Sequence, residues 1–258
     1  MTNSFSFIKY EKEGSLVTIT INRPDTENAL HGKAGEELGE AWRAYQADDN
    51  ACCAILTGEG DEWFCAGREA KWIVASYMSG GAPKKNEAKQ GDGGNNHNFS
   101  CYKPMIAAVN GHASHMGFDM ALACDIVIAG EHARFSLSAP RVAGAVERHG
   151  LTRIAREMPL KIGMGVLMTG GELTAREVEK WGLVNEVVPK GEVMAAARRW
   201  ANRILECAPA ALQCTKETVV RSLDLRAREA LRYKPIGCSG IKSKAALESM
   251  LAHDKGET

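Results

Sequence analysis

The sequence predicts an α/β protein: a core of parallel strands alternating with helices, followed by a helical C-terminal region. Three observations predict it. Apolar runs of strand length alternate with segments of helical spacing. Two runs pass through tight small-residue turns into helices: Phe64-Cys65-Ala66-Gly67, and Ala107-Ala108-Val109-Asn110-Gly111 running on to Ala123-Cys124-Asp125. Beyond Glu147 the pattern turns mainly helical.

Each element has its own signal. Residues 16–22 alternate, with Val17, Ile19 and Ile21 on one face, and Arg23-Pro24-Asp25 breaks the strand. Leu38, Trp42 and Tyr45 make one stripe of a helix over 32–48. Residues 52–57 read as a buried strand stopped by Gly58-Glu59-Gly60, and 69–77 as a helix. Residues 105–109 and 125–129 read as buried strands with a helix over 117–123 between them. Residues 183–188 read as a last strand before Pro189, with helices expected near 191–206, 209–222, 224–233 and 241–252. The partition is a core over 1–190 and a helical lobe over 191–258. Residues 79–98 are Gly-, Lys- and Asn-rich and almost free of apolar side chains, the composition of a surface loop or of a lid over an active site.

Composition excludes several classes. The 258 residues are 45% apolar and 25% charged, ordinary for a globular protein with a sizeable core. Lys+Arg and Asp+Glu balance at 32 each, so bulk charge steers the chain toward neither nucleic acid nor anionic membrane. No apolar stretch reaches the roughly 20 residues that span a bilayer. The amino terminus is polar, with no basic stretch leading into an apolar run, so a cytoplasmic location is expected. The eight cysteines lie mostly in apolar runs without the short paired spacing of a zinc site; buried reduced thiols are expected. The seven histidines show no metal-ligand rhythm, so no metal is expected.

The two strand–turn–helix segments carry the chemistry. Such a turn leaves backbone N–H groups free at a helix start, and two of them facing one point stabilise charge developing on a carbonyl oxygen. With Asn22-Arg23-Pro24, Leu167-Met168-Thr169-Gly170 and Gly182-Leu183-Val184-Asn185, they make the chain resemble the enoyl-CoA hydratase/isomerase (crotonase) superfamily over about residues 5–252. The resemblance implies a spiral of ββα units with a C-terminal helical trimerisation lobe, assembled as a homotrimer or homohexamer. It implies an acyl-CoA thioester substrate, with no cofactor beyond the coenzyme A that the substrate carries.

The resemblance also implies site residues. The oxyanion donors would be the N–H groups of Ala66 and Met116. Three consecutive glycines are usual where this chain has His115, Met116 and Gly117. Asp119 stands where a catalytic Glu is usual, and is one methylene shorter. A second catalytic Glu would align with Ala139, which cannot move protons. Glu147 and His149 replace small residues in a segment expected over the acyl pocket, and are candidates for the missing acid/base. His115 is expected to pack under its turn with one nitrogen on backbone. The coenzyme would sit against Arg23, Ala29, Gly67, Arg68 and Gly117, with Arg23 as the basic candidate for phosphate.

The reaction implied is addition of water to, or migration of, a double bond beside a thioester whose enolate the oxyanion hole stabilises. A carbon–carbon bond hydrolase acting on a β-diketone or cyclic oxo-acyl substrate is the enzymatic alternative. A non-catalytic acyl-CoA or RNA binder is the alternative from outside enzymes.

Overall fold

The computed structural model describes residues 5–78, 101–138, 140 and 148–235. Two sheets organise the chain. The larger is built from β1 (Ile8–Glu13), β2 (Leu16–Ile21), β3 (Cys53–Gly58), β5 (Met105–Val109), β7 (Ile126–Gly130) and β10 (Glu186–Val188), in the order β1-β2-β3-β5-β7-β10. The smaller contains β4 (Trp63–Cys65), β6 (His112–Ser114), β8 (Arg134–Ser136) and β9 (Glu172–Thr174), in that order. All pairings are parallel except β1–β2 and β8–β9.

Around them lie α1 (Gly32–Ala47), α2 (Ala70–Met78), α3 (Met116–Leu122), α4 (Arg148–Glu157) and α5 (Leu160–Thr169). Then follow α6 (Ala175–Lys180), α7 (Val193–Leu205), α8 (Pro209–Ser222) and α9 (Ala227–Ala230). Leu38, Trp42 and Tyr45 are buried on α1, and the ring Nδ1 of His31 caps its start by accepting the Ala34 N–H at 3.1 Å.

The core corrects two expectations. Residues 16–21 are buried on both faces, not on the Val17, Ile19, Ile21 face alone. The first face joins Ala54, Leu56, Ala107 and Val109 in the main core. The second, through Leu16 with Ile55, Ile106 and Ile128, is covered by Val193, Ala196, Ala197 and Ala201 of α7. Parallel sheets need both faces covered, and a row of alanines lets a helix approach closely. A boundary at 190/191 would strip that cover from the sheet, so α7 is part of the core.

Of the small sheet, only β4 has a counterpart in the sequence pattern, the apolar run at Phe64-Cys65. The strands of this sheet have three residues each, too few for any alternation to register. The expected loop or lid over 79–98 and the expected helix over 241–252 lie outside the described residues. Cys52, Cys53, Cys65, Cys101, Cys124 and Cys207 are free thiols, whereas Cys214 is disulfide-bonded, against the all-thiol expectation. Burial pushes the Cys53 and Cys124 thiols up to about 12. No helix among the described residues is long and apolar enough to cross a membrane.

One contact fixes α3 against the small sheet. A Cβ on Gly117 would lie 2.0 Å from the Cys65 carbonyl oxygen, so the helix rests on the strand with no room for a side chain. Gly117→Ala gains up to about 1 kcal/mol in helix propensity but forces the two backbones apart. A net loss of about 3 kcal/mol is expected, read as a lower urea midpoint. An unchanged midpoint would mean that the contact is slack.

Candidate functional site

The site forms where the chain leaves β4 and β6. These strands pair in parallel, Trp63 with His112 and Cys65 with Ala113, so the segments beyond their ends, 66–68 and 114–116, run side by side. Gly67 has φ +94°, and a Cβ on it would lie 2.9 Å from His115 Cβ and 3.2 Å from the Met116 nitrogen. Only a residue without a side chain brings the two turns this close.

Two asparagines hold the approaching loops. Asn28, fully buried, donates to the carbonyls of Glu59 (3.0 Å) and Trp63 (2.7 Å) and accepts the Arg23 N–H (3.0 Å). Asn110 accepts the Gly58 N–H at 3.1 Å and donates to the carbonyls of Gly58 (3.0 Å) and Gly60 (2.8 Å). Each amide stands in for a short strand where none exists, satisfying loop backbone that would otherwise lack partners.

Met116 is the first residue of α3. The first intrahelical bond there runs from the Asp119 N–H to the His115 carbonyl at 3.1 Å, so the Met116 N–H precedes the ladder. His115 donates its own N–H to Ser136 at 2.8 Å. Its backbone has φ 51° and ψ −117°, a glycine-like conformation that costs a histidine roughly 1–3 kcal/mol. Its ring nitrogen Nε2 lies 2.9 Å from Ser138 Oγ, so the partner is a side-chain hydroxyl and not the backbone group expected. Burial lowers the His115 pKa, which keeps the imidazole neutral at pH 7.

The other turn corrects the expected donor. The Ala66 N–H is donated to the Glu27 carbonyl at 3.0 Å, because the 23–30 loop lies along this edge. Ala66 is therefore already engaged. One step on, Leu30 bridges Arg68 in parallel: Leu30 donates to the Gly67 carbonyl (2.8 Å), and Glu69 donates to the Leu30 carbonyl (2.9 Å). In such a bridge the middle residue's own N–H points away from the partner strand. The Arg68 N–H therefore faces away from Leu30.

The charged candidates are tied inward. Arg23 donates to the Ala29 carbonyl and to Glu69 Oε2 (2.9 Å), with its guanidinium over the Phe7 ring. Its side chain is 11% exposed, so it braces two loops and is not an open cation awaiting a phosphate. Ala29 also gives its N–H to Thr26 at 2.9 Å. Asp119 has no exposed surface and pairs with Arg153 of α4, Oδ1 to Nε, at 3.6 Å.

Ala139 and Glu147 lie outside the described residues, and of His149 only its place in the first turn of α4 is described. A cavity of about 430 Å³ opens among Leu122, Cys124, Arg153, Arg156, Lys216 and other residues. It lies at the C-terminal end of α3, the end away from the Met116 N–H. Among the described residues no group of three His, Cys, Asp or Glu is placed to hold a metal ion. No sequence signal pointed to Arg153 or to the asparagine clamps. Ser138 had one signal, its place beside Ala139.

The family model for enoyl-CoA hydratase/isomerase matches residues 11–248. The carnitinyl-CoA dehydratase of Escherichia coli K12 is 33% identical over 246 residues, covering 93% of this chain and 92% of that protein. The carnitinyl-CoA dehydratase of Proteus mirabilis is 34% identical over 247 residues, with 93% and 92% covered. Among solved structures, an enoyl-CoA hydratase from Mycobacterium marinum superposes with a TM-score of 0.87 at 27% identity, covering 97% and 96% of the two chains. A carnitinyl-CoA hydratase from Mycobacterium avium gives 0.75 at 33% identity, covering 98% and 97%.

The Asp119–Arg153 pair makes a direct test of packing at this site. Removing one member of a buried pair leaves an uncompensated charge, so Arg153→Met is expected to cost about 3 kcal/mol. Asp119→Asn in the same chain should recover part of it. A double-mutant cycle measured in urea should give a coupling of about 1 kcal/mol or more; strict additivity would show that the two side chains are independent.

Proposed function

The chain belongs to the enoyl-CoA hydratase/isomerase (crotonase) family, and on that premise we propose that it stabilises a thioester enolate of an acyl-CoA between the N–H groups of Met116 and Arg68. It adds water to a double bond conjugated with that thioester, or shifts the double bond. The supporting observation is the contact of the two turns at Gly67, beside the Met116 nitrogen. Arg68 replaces Ala66 as the first donor because its N–H is turned away from Leu30, whereas the Ala66 N–H is held by Glu27. Backbone donors suit an enolate because they are fixed before the substrate arrives and need no reorganisation as charge develops.

Asp119 follows Met116 by three residues on α3, which puts both on one side of the helix. In this reading it moves one proton of the reaction, with Arg153 holding its carboxylate in place. Glu147 and His149 remain the sequence's candidates for a second such group. The coenzyme runs along the 23–30 and 66–69 segments, meeting backbone at Ala29, Gly67 and Gly117 and the Arg68 side chain. The names of the dehydratase and hydratase relatives support water chemistry in particular.

The test is direct. Incubation with crotonyl-CoA in D2O should consume the conjugated thioester and place deuterium at Cα, both read by mass spectrometry. Asp119→Asn should cut the rate by about 100-fold or more. Arg68→Pro deletes one N–H while leaving the Gly67 and Glu69 bridge bonds possible, and should cut kcat by about 100-fold or more. Acyl-CoA binding with no exchange or hydration across a panel of acyl groups would overturn the proposal. Cleavage of a cyclic 1,3-diketone in its place would favour the hydrolase alternative.

The chain also assembles as a homotrimer or homohexamer in this reading. Leu160, Met164 and Met168 are exposed at four-residue spacing along α5, and Val219 and Leu223 at the same spacing on α8, faces that a second copy would cover. Sedimentation equilibrium should give a mass of three or six chains; a lone chain at micromolar concentration would refute this.

A further inference from the structure

We propose that His115 and Ser138 together form the site's second proton-moving unit, a hydroxyl–imidazole relay beside the Met116 donor. This deepens the reading of the site just given and rests on it. The pair is in contact, Nε2 to Oγ, at 2.9 Å. Both side chains are half-buried, so water reaches them while bulk solvent does not surround them. Position follows from the backbone: His115 immediately precedes the Met116 donor, and its Cβ lies against Gly67 of the facing turn. Its N–H bond to Ser136 runs the 136–138 segment alongside 114–116, which delivers the Ser138 hydroxyl to the ring.

The protonation state suits a base. Among the described residues His115 meets Gly67 from the β4 turn and Ser136 and Ser138 from the end of β8, all uncharged, and its carbonyl accepts the backbone N–H of Asp119. Burial lowers its pKa, which favours the neutral ring. The backbone adds an independent argument. His115 holds a glycine conformation at φ 51°, where glycine itself would be unstrained. A strained side chain at such a point marks a position where the side chain has a role of its own. The neighbouring Ala139 offers no proton-moving group, so the relay stands beside a position without one.

In the hydration direction the step balances. Ser138 Oγ–H passes its proton to His115 Nε2 as it takes one from water, and the water oxygen bonds to Cβ of the enoyl thioester. The π pair moves onto the thioester oxygen, held by the two N–H groups. The imidazolium proton then passes to the Asp119 carboxylate, which delivers it to Cα, restoring the carbonyl and leaving the imidazole neutral and Asp119 ionised as they began. The net change is one water added across Cα and Cβ.

His115→Gly separates proton transfer from folding, because glycine removes the ring and relieves the backbone together. The variant should melt no lower than wild type, yet hydrate crotonyl-CoA about 100-fold or more slowly. Its residual rate should lose the fall at acid pH that protonation of the imidazole imposes on wild type, and added imidazole should restore part of it. Ser138→Ala should slow hydration about tenfold or more, and His115→Gly/Ser138→Ala should be no slower than His115→Gly alone, since the two act in one path. Hydration by His115→Gly within about threefold of wild type, or losses that multiply, would overturn the relay. Wild type inactive on every acyl-CoA would instead overturn the parent reading.

Discussion

The closeness of two backbones sets everything at this site. Residues 66–68 and 114–117 meet with no side chain between them, because Gly67 and Gly117 supply the only surfaces thin enough. The Cys65 carbonyl rests on Gly117, and the Met116 nitrogen faces Gly67. Parallel pairing of two short strands brings the turns to this distance, and the start of α3 supplies an N–H that the helix itself does not use. The donors are therefore positioned by chain geometry and burial. In the proposed reaction no flexible side chain has to be ordered for these donors to act, which is the condition under which electrostatic stabilisation of an enolate is largest.

That arrangement explains which parts are legible in the sequence. Strands with five or six buried residues announce themselves: 105–109 is legible to the residue, and so is the α1 stripe through Leu38, Trp42 and Tyr45. The second sheet shows only through Phe64-Cys65 of β4, since a three-residue strand is defined by its neighbours and not by its own pattern. The place of α7 is hidden for a related reason. Its alanines read as helix formers, but their role, thin cover for the second face of a parallel sheet, is a property of the packed structure.

At the site, the motif locates the turn and misses that the Ala66 amide in it is already engaged. Ala66 and Arg68 are two residues apart, so their N–H groups point in the same lateral sense only if the segment is a regular strand. The turn through Gly67 at φ +94° breaks that regularity. Whether an N–H is engaged then depends on what lies across from it, here the 23–30 loop, far earlier in the chain. The same holds for charge. Arg23 is a phosphate candidate through the family resemblance, and it becomes a brace when Glu69 and the Ala29 carbonyl fold against it. Asp119 reads as an acid/base candidate at a helix start, and nothing near it in sequence announces that it is sealed and paired with Arg153 of the next helix.

These observations separate two layers of the site that are under different constraints. Donors made of backbone tolerate side-chain replacement at their own positions so long as the turn keeps its shape, so the proposed donors Met116 and Arg68 can carry large side chains. Proton-moving groups have no such freedom, because a carboxylate or imidazole must reach a particular carbon or water within hydrogen-bond distance. A chain that keeps the first layer can therefore change its reaction by moving the second. The direction of change here is specific: side chains that carry protons have left one position, at Ala139, while an imidazole has entered the oxyanion turn at His115 and accepted backbone strain to stay there. In the proposed reaction the intermediate is a stabilised thioester anion, and the placement of Asp119, His115 and Ser138 would decide which carbon receives a proton and which receives water.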